Sequence, residues 1–331
     1  MNETKLYMNT LFKSLPYLFL LSFFTVSAQY TETINSNRPG SSQGAFSVGT
    51  KVIQVEMGIG IGSEEHALLN TETNAFLLEY DVRYGFWKEE LEFSLMGAYQ
   101  SNSETYSPEG GIPTEYKESN FRHNRLGAKY LVYDPYRKRE QRGPNLYSWK
   151  ANNKFQWADL VPAVSVYAGA NFDTSDNPFI AGTESSISPT VVISTQNNWL
   201  GGWVFVTNII ADRFTEDVPS YSYILTLTHA FNPKFSAFIE NQGIKSDFYA
   251  DQLLRGGAAY LFNKDFQLDA SLMLNFKDTP SRLYGRLGVS YRYDMHKQDE
   301  FIEDKGKSGR KKRKEEKKMS KSQKKKKRRK N

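Results

Sequence analysis

The sequence predicts an all-β chain, an antiparallel transmembrane β-barrel of about twelve strands. Three observations predict it. The first is the stretch Lys264 to Asp294, where Phe266, Leu268, Ala270, Leu272, Leu274 and Phe276 alternate with Gln267, Asp269, Ser271, Met273, Asn275 and Lys277. After Asp278-Thr279-Pro280 the alternation returns: Leu283, Gly285, Leu287, Val289, Tyr291 and Tyr293 share one face, and Arg282, Tyr284, Arg286, Gly288, Ser290 and Arg292 the other. A period of two marks pleated strands. Strands of this length with one apolar and one charged face suit a barrel whose outside meets lipid. A soluble sandwich alternates in the same way, so the second and third observations decide. They are an export signal and a segregation of loop lengths.

The signal lies at residues 1–28. Lys5 and Lys13 precede the apolar run Leu15 to Val26, which ends in Val26-Ser27-Ala28. A basic flank, a short apolar core and a small-residue exit describe a secretory signal. Beyond it no apolar run reaches 18 residues, and mean hydropathy is −0.60. A helical membrane protein is therefore disfavoured, whereas a barrel needs only alternate apolar residues. The chain has 331 residues and no cysteine, so no disulfide or thiolate site exists. The net charge of +6 conceals two parts. Of 43 basic and 37 acidic residues, 18 and 6 fall within 297–331, which leaves 25 against 31 elsewhere. The body is mildly acidic and the tail strongly basic.

Along the chain, residues 29–49 read as an irregular polar leader. Its alternatives are a loose segment before the first strand and a plug against or inside the barrel mouth. The barrel follows over 50–294. Its strands are expected near Thr50 to Gly62, Thr73 to Tyr84, Lys88 to Gln100, Phe121 to Tyr133, Leu160 to Phe172 and Ser186 to Gln196. The rest are expected near Trp199 to Ala211, Tyr221 to Ala230, Lys234 to Gly243, Gln252 to Phe262, and in the pair described above. Residues 134–157 are irregular, and the strand after them is apolar on both faces, so its register is ambiguous. Ten or fourteen strands would follow if that region reads differently. Four of the five even connections are tight turns, at Gly85-Phe86, Asn197-Asn198, Asn232-Pro233 and Asn263-Lys264, and 134–157 is the exception. The odd ones, such as 62–72, 101–120 and 173–185, are mostly longer. Long loops on one rim and tight turns on the other are the outer-membrane barrel asymmetry. An even strand number puts both chain ends in the periplasm, and a lipid-exposed sheet must close.

Several short segments carry a family resemblance: Thr33 to Gly40 with its Ser36-Asn37-Arg38-Pro39 core, Gln54-Val55-Glu56, Leu78 to Gly85, Gly127-Ala128-Lys129-Tyr130, and Phe238-Ile239-Glu240. Together they resemble the outer-membrane family named after meta-pathway phenol degradation, whose bacteroidete members carry the label transporter. The family opens with a Thr-Asp-Arg-Pro segment, and Asn37 stands where its acidic residue is usual. The resemblance spans about Thr33 to Asp294. It implies a barrel that passes small hydrophobic or aromatic compounds.

The inward parity selects Glu56, Glu79, Asp81, Arg83, Glu92, Arg125, Lys129, Glu240, Arg282, Arg286 and Arg292 as lumen residues, with Arg38 of the leader as a plug contact reaching Glu79 or Glu92. Closure puts Arg286 or Arg292 near Glu56. Such charges either pair and hold the barrel shut or line a narrow path for a solute. His66, His123, His229 and His296 are scattered without metal spacing, and no nucleophile motif appears. No enzyme, cofactor or metal is expected. The leading function is passive passage of small solutes through the outer membrane, and the alternative is a non-conducting anchor or accessory subunit of an envelope complex. Residues 295–331 read as a disordered basic tail. Behind an export signal, nucleic acid is disfavoured as its partner, and residues 305–330 suit an anionic periplasmic component. The barrel's own partners are outer-membrane lipid and a small hydrophobic solute.

Overall fold

A computed structural model of the chain describes residues 33–137, 147, 157–174, 176–180 and 185–296. The export signal and all but Met295 and His296 of the basic tail lie outside the described residues. The described residues within 33–294 belong to one compact unit.

Twelve antiparallel strands close into one barrel. They are β1 (Val52–His66), β2 (Thr71–Gly85), β3 (Leu91–Tyr106), β4 (Thr114–Tyr133), β5 (Ala163–Phe172) and β6 (Ile187–Trp199). The second half is β7 (Trp203–Asp212), β8 (Ser220–Asn232), β9 (Phe235–Lys245), β10 (Ala250–Asn263), β11 (Phe266–Asn275) and β12 (Ser281–Asp294). Each strand pairs with its sequence neighbours, and β12 returns to β1, from Val52 opposite Asp294 to Glu65 opposite Ser281. Both ends of the barrel thus lie at one rim, called here the terminal rim. Among the described residues no helix is long and apolar enough to cross a membrane.

The alternation decides which side of the wall each residue takes. Ile59, Ile61, Ile209, Leu272, Leu283 and Leu287 are half or more exposed on the outer face, while Gln54, Glu56, Asn208, Glu240 and Ser290 on the other parity are fully buried. Exposed aliphatic side chains around a whole barrel are unfavourable in water and favourable in lipid. An aromatic belt surrounds the terminal rim. Trp203, His229, Phe231 and Phe235 stack in sequence, and Tyr260, Phe262 and Phe266 form a second run. Such girdles mark the membrane–water interface. His229 belongs to this belt.

Several boundaries differ from the sequence expectation. The stretch 101–120 is not an irregular loop: β3 runs to Tyr106 and β4 starts at Thr114, leaving only a turn where the Gly111 amide donates to the Pro108 carbonyl. Both faces of this extension meet solvent, so it carries no apolar alternation to read. Asn197 and Asn198 lie within β6, and the turn follows at Leu200-Gly201-Gly202 with both glycines at positive φ. Glycine reaches that region without a Cβ penalty. The ambiguous β5 turns Ala163, Ser165, Tyr167 and Asn171 inward, all buried. Lys277 lies beyond β11, its ammonium 5.0 Å over the Tyr249 ring.

The lipid-facing assignment predicts that Leu272→Arg, near mid-wall on β11, lowers the unfolding free energy by about 2–4 kcal/mol in vesicles, the cost of a cation in the apolar band. Denaturant titration in lipid measures it. A loss below about 1 kcal/mol would place Leu272 outside the band.

Candidate functional site

The leader enters the barrel and crosses its lumen. Its path begins where the Ile34 amide donates to the Lys264 carbonyl at the terminal rim. A segment of irregular backbone inside a barrel needs partners for its polar groups, and inward side chains supply them.

Glu56 is the first receptor. Its carboxylate accepts from the Ser36 hydroxyl at 2.8 Å and from the amides of Asn37 and Arg38 at 3.2 and 3.1 Å. Arg83 holds the same carboxylate by a short contact and donates to the Asn35 carbonyl. Asn37 then uses all its groups: Nδ2 donates to Asp81 at 3.3 Å, and Oδ1 accepts from the Gly44 amide at 3.1 Å. An aspartate at 37 would face Asp81 and Glu56 as a third carboxylate, which explains the amide at this position.

Arg38 reaches deepest. Its guanidinium meets Glu79 at 2.8 Å and Asp269 at 3.3 Å. Glu92 is not its partner. The guanidinium lies on Gly58 and Gly288, which face each other across the β1–β12 seam. A Cβ on either would come within 2.4 or 2.2 Å of it, so the seat exists because both residues lack one. Burial lowers the pKa of Arg38, but Asp269 and Glu79 outweigh it and hold the value above that of an ordinary arginine. Arg286 pairs with the other oxygen of Glu79 at 3.2 Å and donates to the Pro39 carbonyl.

The leader continues across the lumen. Glu240 accepts the amides of Ser41 and Ser42 at 3.0–3.2 Å, and is itself held by Arg255 at 2.9 Å and the Thr226 hydroxyl at 2.8 Å. Asn208 bonds both the amide and the carbonyl of Gln43, at 2.6 and 2.8 Å. Gln196 accepts the Ala45 amide, and Lys129 donates to the carbonyls of Gly44 and Phe46. Glu92, paired with Lys129 at 3.0 Å, accepts the Val48 amide at 2.8 Å. The chain then joins β1, where the Lys51 amide bonds the Gly85 carbonyl.

Nine of the residues selected by inward parity and leader position surround this segment: Arg38, Glu56, Glu79, Asp81, Arg83, Glu92, Lys129, Glu240 and Arg286. Three do not. Arg125 pairs with Asp212 at 2.9 Å, and Arg282 with Glu64 at 3.1 Å, both toward the far rim. Arg292 lies at the terminal rim with Asp265 and Asp294 at 3.5 and 3.7 Å. Neither Arg286 nor Arg292 pairs with Glu56, because Arg83 on β2 occupies it. Sequence reading missed Asn208, Gln196 and the glycine seat. The first two are inward polar positions, Asn208 after the inward Val204 and Val206 of β7 and Gln196 in the mostly polar inward row of β6, a signal parity could have supplied.

Beyond the ionic layer, toward the far rim, large apolar side chains join the inward polar ones, among them Gln100, Asn171, Thr190 and Ser271. Leu77, Val192, Ile224, Leu253 and Tyr284 are buried there, and Met273 packs on the cluster of Ala75, Leu77 and Tyr284. On the other side of the leader, toward the terminal rim, is a cavity of about 220 Å³. Gly40, Ser42 and Gly44 line it from the leader, with Thr226, Thr228, Phe238 and Ala259 from the wall. Among the described residues no group of three His, Cys, Asp or Glu could hold a metal ion.

Because the chain has no cysteine, a single Ser42→Cys reports on the leader. Ser42 is buried, so its maleimide labelling in detergent-solubilised barrel is expected to be slow. Adding Gly288→Val, which displaces the Arg38 guanidinium, is expected to make labelling fast. Equal rates in both backgrounds would contradict the seat.

The family model described as the putative MetA pathway of phenol degradation matches residues 36–293. Among solved structures, an outer membrane channel from Pseudomonas putida F1 is similar with a TM-score of 0.50 at 11% identity, over 78% of this chain and all of that one. The translocator domain of the autotransporter NalP from Neisseria meningitidis gives 0.43 at 10% identity, over 74% and 89% of the two chains. The CymD monoaromatic hydrocarbon channel gives 0.40 at 11% identity, over 75% and 90%. No curated protein matches the sequence. The likeness to the Pseudomonas channel is one of fold, a closed barrel of the outer-membrane kind. With the match reaching from the leader's Ser36 to Tyr293 at the end of β12, the chain belongs to the family of the putative MetA pathway of phenol degradation.

Proposed function

We propose that this barrel passes small, uncharged, apolar or aromatic molecules across the outer membrane, and that its own leader closes it. The observation that carries this reading is the layering of the lumen. A solute entering from the far rim first meets the polar groups Glu64, Arg282, Asp251 and Asp212. It then meets a band where Leu77, Val192, Ile224, Leu253 and Tyr284 stand among the neutral polar side chains of Gln100, Thr190, Gln242 and Ser271, and last the ionic layer that holds the leader. An ion loses hydration in this band and meets neutral amide and hydroxyl groups in place of a counter-charge, whereas an apolar molecule gains contact with its five large apolar side chains. The ionic layer carries no free charge path, because its carboxylates are taken by Arg38, Arg83, Lys129, Arg255 and Arg286 and by leader amides. The phenol-degradation description of the family agrees with a small aromatic solute.

Two measurements test the proposal. Cells expressing the chain should take up radiolabelled toluene faster than cells carrying an empty vector, and faster still when residues 33–45 are deleted. In planar bilayers the leader-deleted barrel should conduct ions poorly until Ile224 and Leu253 are replaced with aspartate. Unchanged toluene uptake in both expressing strains would contradict passage. High ion conductance of the leader-deleted barrel with these apolar side chains intact would contradict the assigned selectivity.

A further inference from the structure

The leader is not held equally along its length. Ser36 to Arg38 forms one anchor, on Glu56, Ser290, Glu79 and Asp269. Ser47 to Lys51 forms another, on Glu89, Glu92 and Gly85. Between them Pro39 to Phe46 spans the lumen as an arc, small except at Pro39, Gln43 and Phe46, with Gly40 and Gly44 near its two ends.

The consequences of release differ between arc and anchors. If the arc leaves, Glu240 keeps Arg255 and Thr226, so its buried carboxylate stays paired. The arc's release breaks the neutral hydrogen bonds of Asn208 and Gln196 and the backbone bonds to Glu240, Lys129 and Arg286, but each of those charged groups keeps its ion-pair partner. If the first anchor leaves, Asp269 loses Arg38, its ion-pair partner, within a wall where its side chain has no exposure. Leaving a buried charge without its ion-pair partner is more costly than breaking hydrogen bonds whose charged members stay paired. The arc also has somewhere to go: the 220 Å³ cavity is lined by Gly40, Ser42 and Gly44 themselves.

We infer that passage opens by a swing of residues 39–46 into this cavity, about Gly40 and Gly44, while the anchors at 36–38 and 47–51 stay seated. This rests on the passage reading above. Asn208 is the latch on the wall, because it is fully buried and bonds both polar backbone groups of Gln43. Hinges of this kind need only a few residues able to absorb a backbone change.

The absence of cysteine makes the test clean. Ser36 and Ser290 place their hydroxyls 2.8 Å apart, so Ser36→Cys with Ser290→Cys ties the first anchor to β12 under oxidation. Asn208→Ala should raise toluene uptake by roughly tenfold, the shift expected from losing two hydrogen bonds. That rise should survive oxidation of the 36–290 pair and vanish when Gly44→Cys and Gln196→Cys tie the arc instead. Thiol quantification and gel migration confirm each bridge and a folded barrel. Loss of the rise on oxidising the 36–290 pair would show that the whole leader must leave, and would overturn the inference. So would uptake that persists with the arc tied. If Asn208→Ala has no effect while the barrel lacking 33–45 transports, the arc is overturned and the passage reading stands. If neither transports, both fall.

Discussion

The structure depends on buried carboxylates that accept backbone amides of the chain's own leader. Glu56, Glu92 and Glu240 each take one or two such amides, and each is neutralised from the wall by Arg83, Lys129 or Arg255. A hydrogen bond to a charged acceptor contributes about 1.5–3 kcal/mol net, more than a neutral one. The leader therefore satisfies its polar backbone inside the barrel without secondary structure of its own. The wall in turn has a reason to keep charges that would otherwise only cost desolvation. Removing the leader would leave those carboxylates to their cations alone.

The rest of the interior follows from that seating. Arg38 needs flat backbone beneath it, which is why Gly58 and Gly288 face each other at the β1–β12 seam where the barrel closes. The strand that ends the barrel thus shares its seam with the residue that anchors the leader. Apolar inward residues begin one step farther from the terminal rim, where no leader group remains to be satisfied. Leu77 precedes Glu79 on β2, Leu253 precedes Arg255 on β10, and Tyr284 precedes Arg286 on β12. The change from ionic to apolar within two residues on several strands gives the lumen its layers.

Much of this was legible in the sequence, and the failures have physical causes. Alternation gave twelve strands and the facing of β1, β2, β11 and β12, because lipid outside and polar groups inside impose opposite demands on neighbouring residues. It gave little at β3 and β4 beyond Gln100 and before Phe121, where both faces are solvated and the ribbon is held by backbone pairing and exposed polar contacts such as Ser103 with Glu115. The turn after β6 was misplaced because Asn197-Asn198 has turn chemistry, yet Gly201 and Gly202 can both take positive φ and do. Residue types identified Arg38, Glu56 and Glu79 as lumen groups, but pairing was harder. Glu56 meets Arg83 on its own hairpin rather than an arginine on β12, since register across the barrel depends on shear that one sequence does not display. Asn208 and Gln196 escaped notice because neutral amides do not stand out among charges, although they hold the middle of the leader.

The central claim, that residues 36–48 are seated in the lumen by wall carboxylates and amides, is tested most directly by hydrogen–deuterium exchange of the full chain in lipid nanodiscs. Seated in this way, the Arg38, Ser41, Ser42 and Val48 amides, which donate to Glu56, Glu240 and Glu92, should exchange far more slowly than in an unstructured peptide. Protection at Arg38 and Val48 should exceed that at Ser41 and Ser42. Exchange of all four at the rate of a free peptide would contradict the seating.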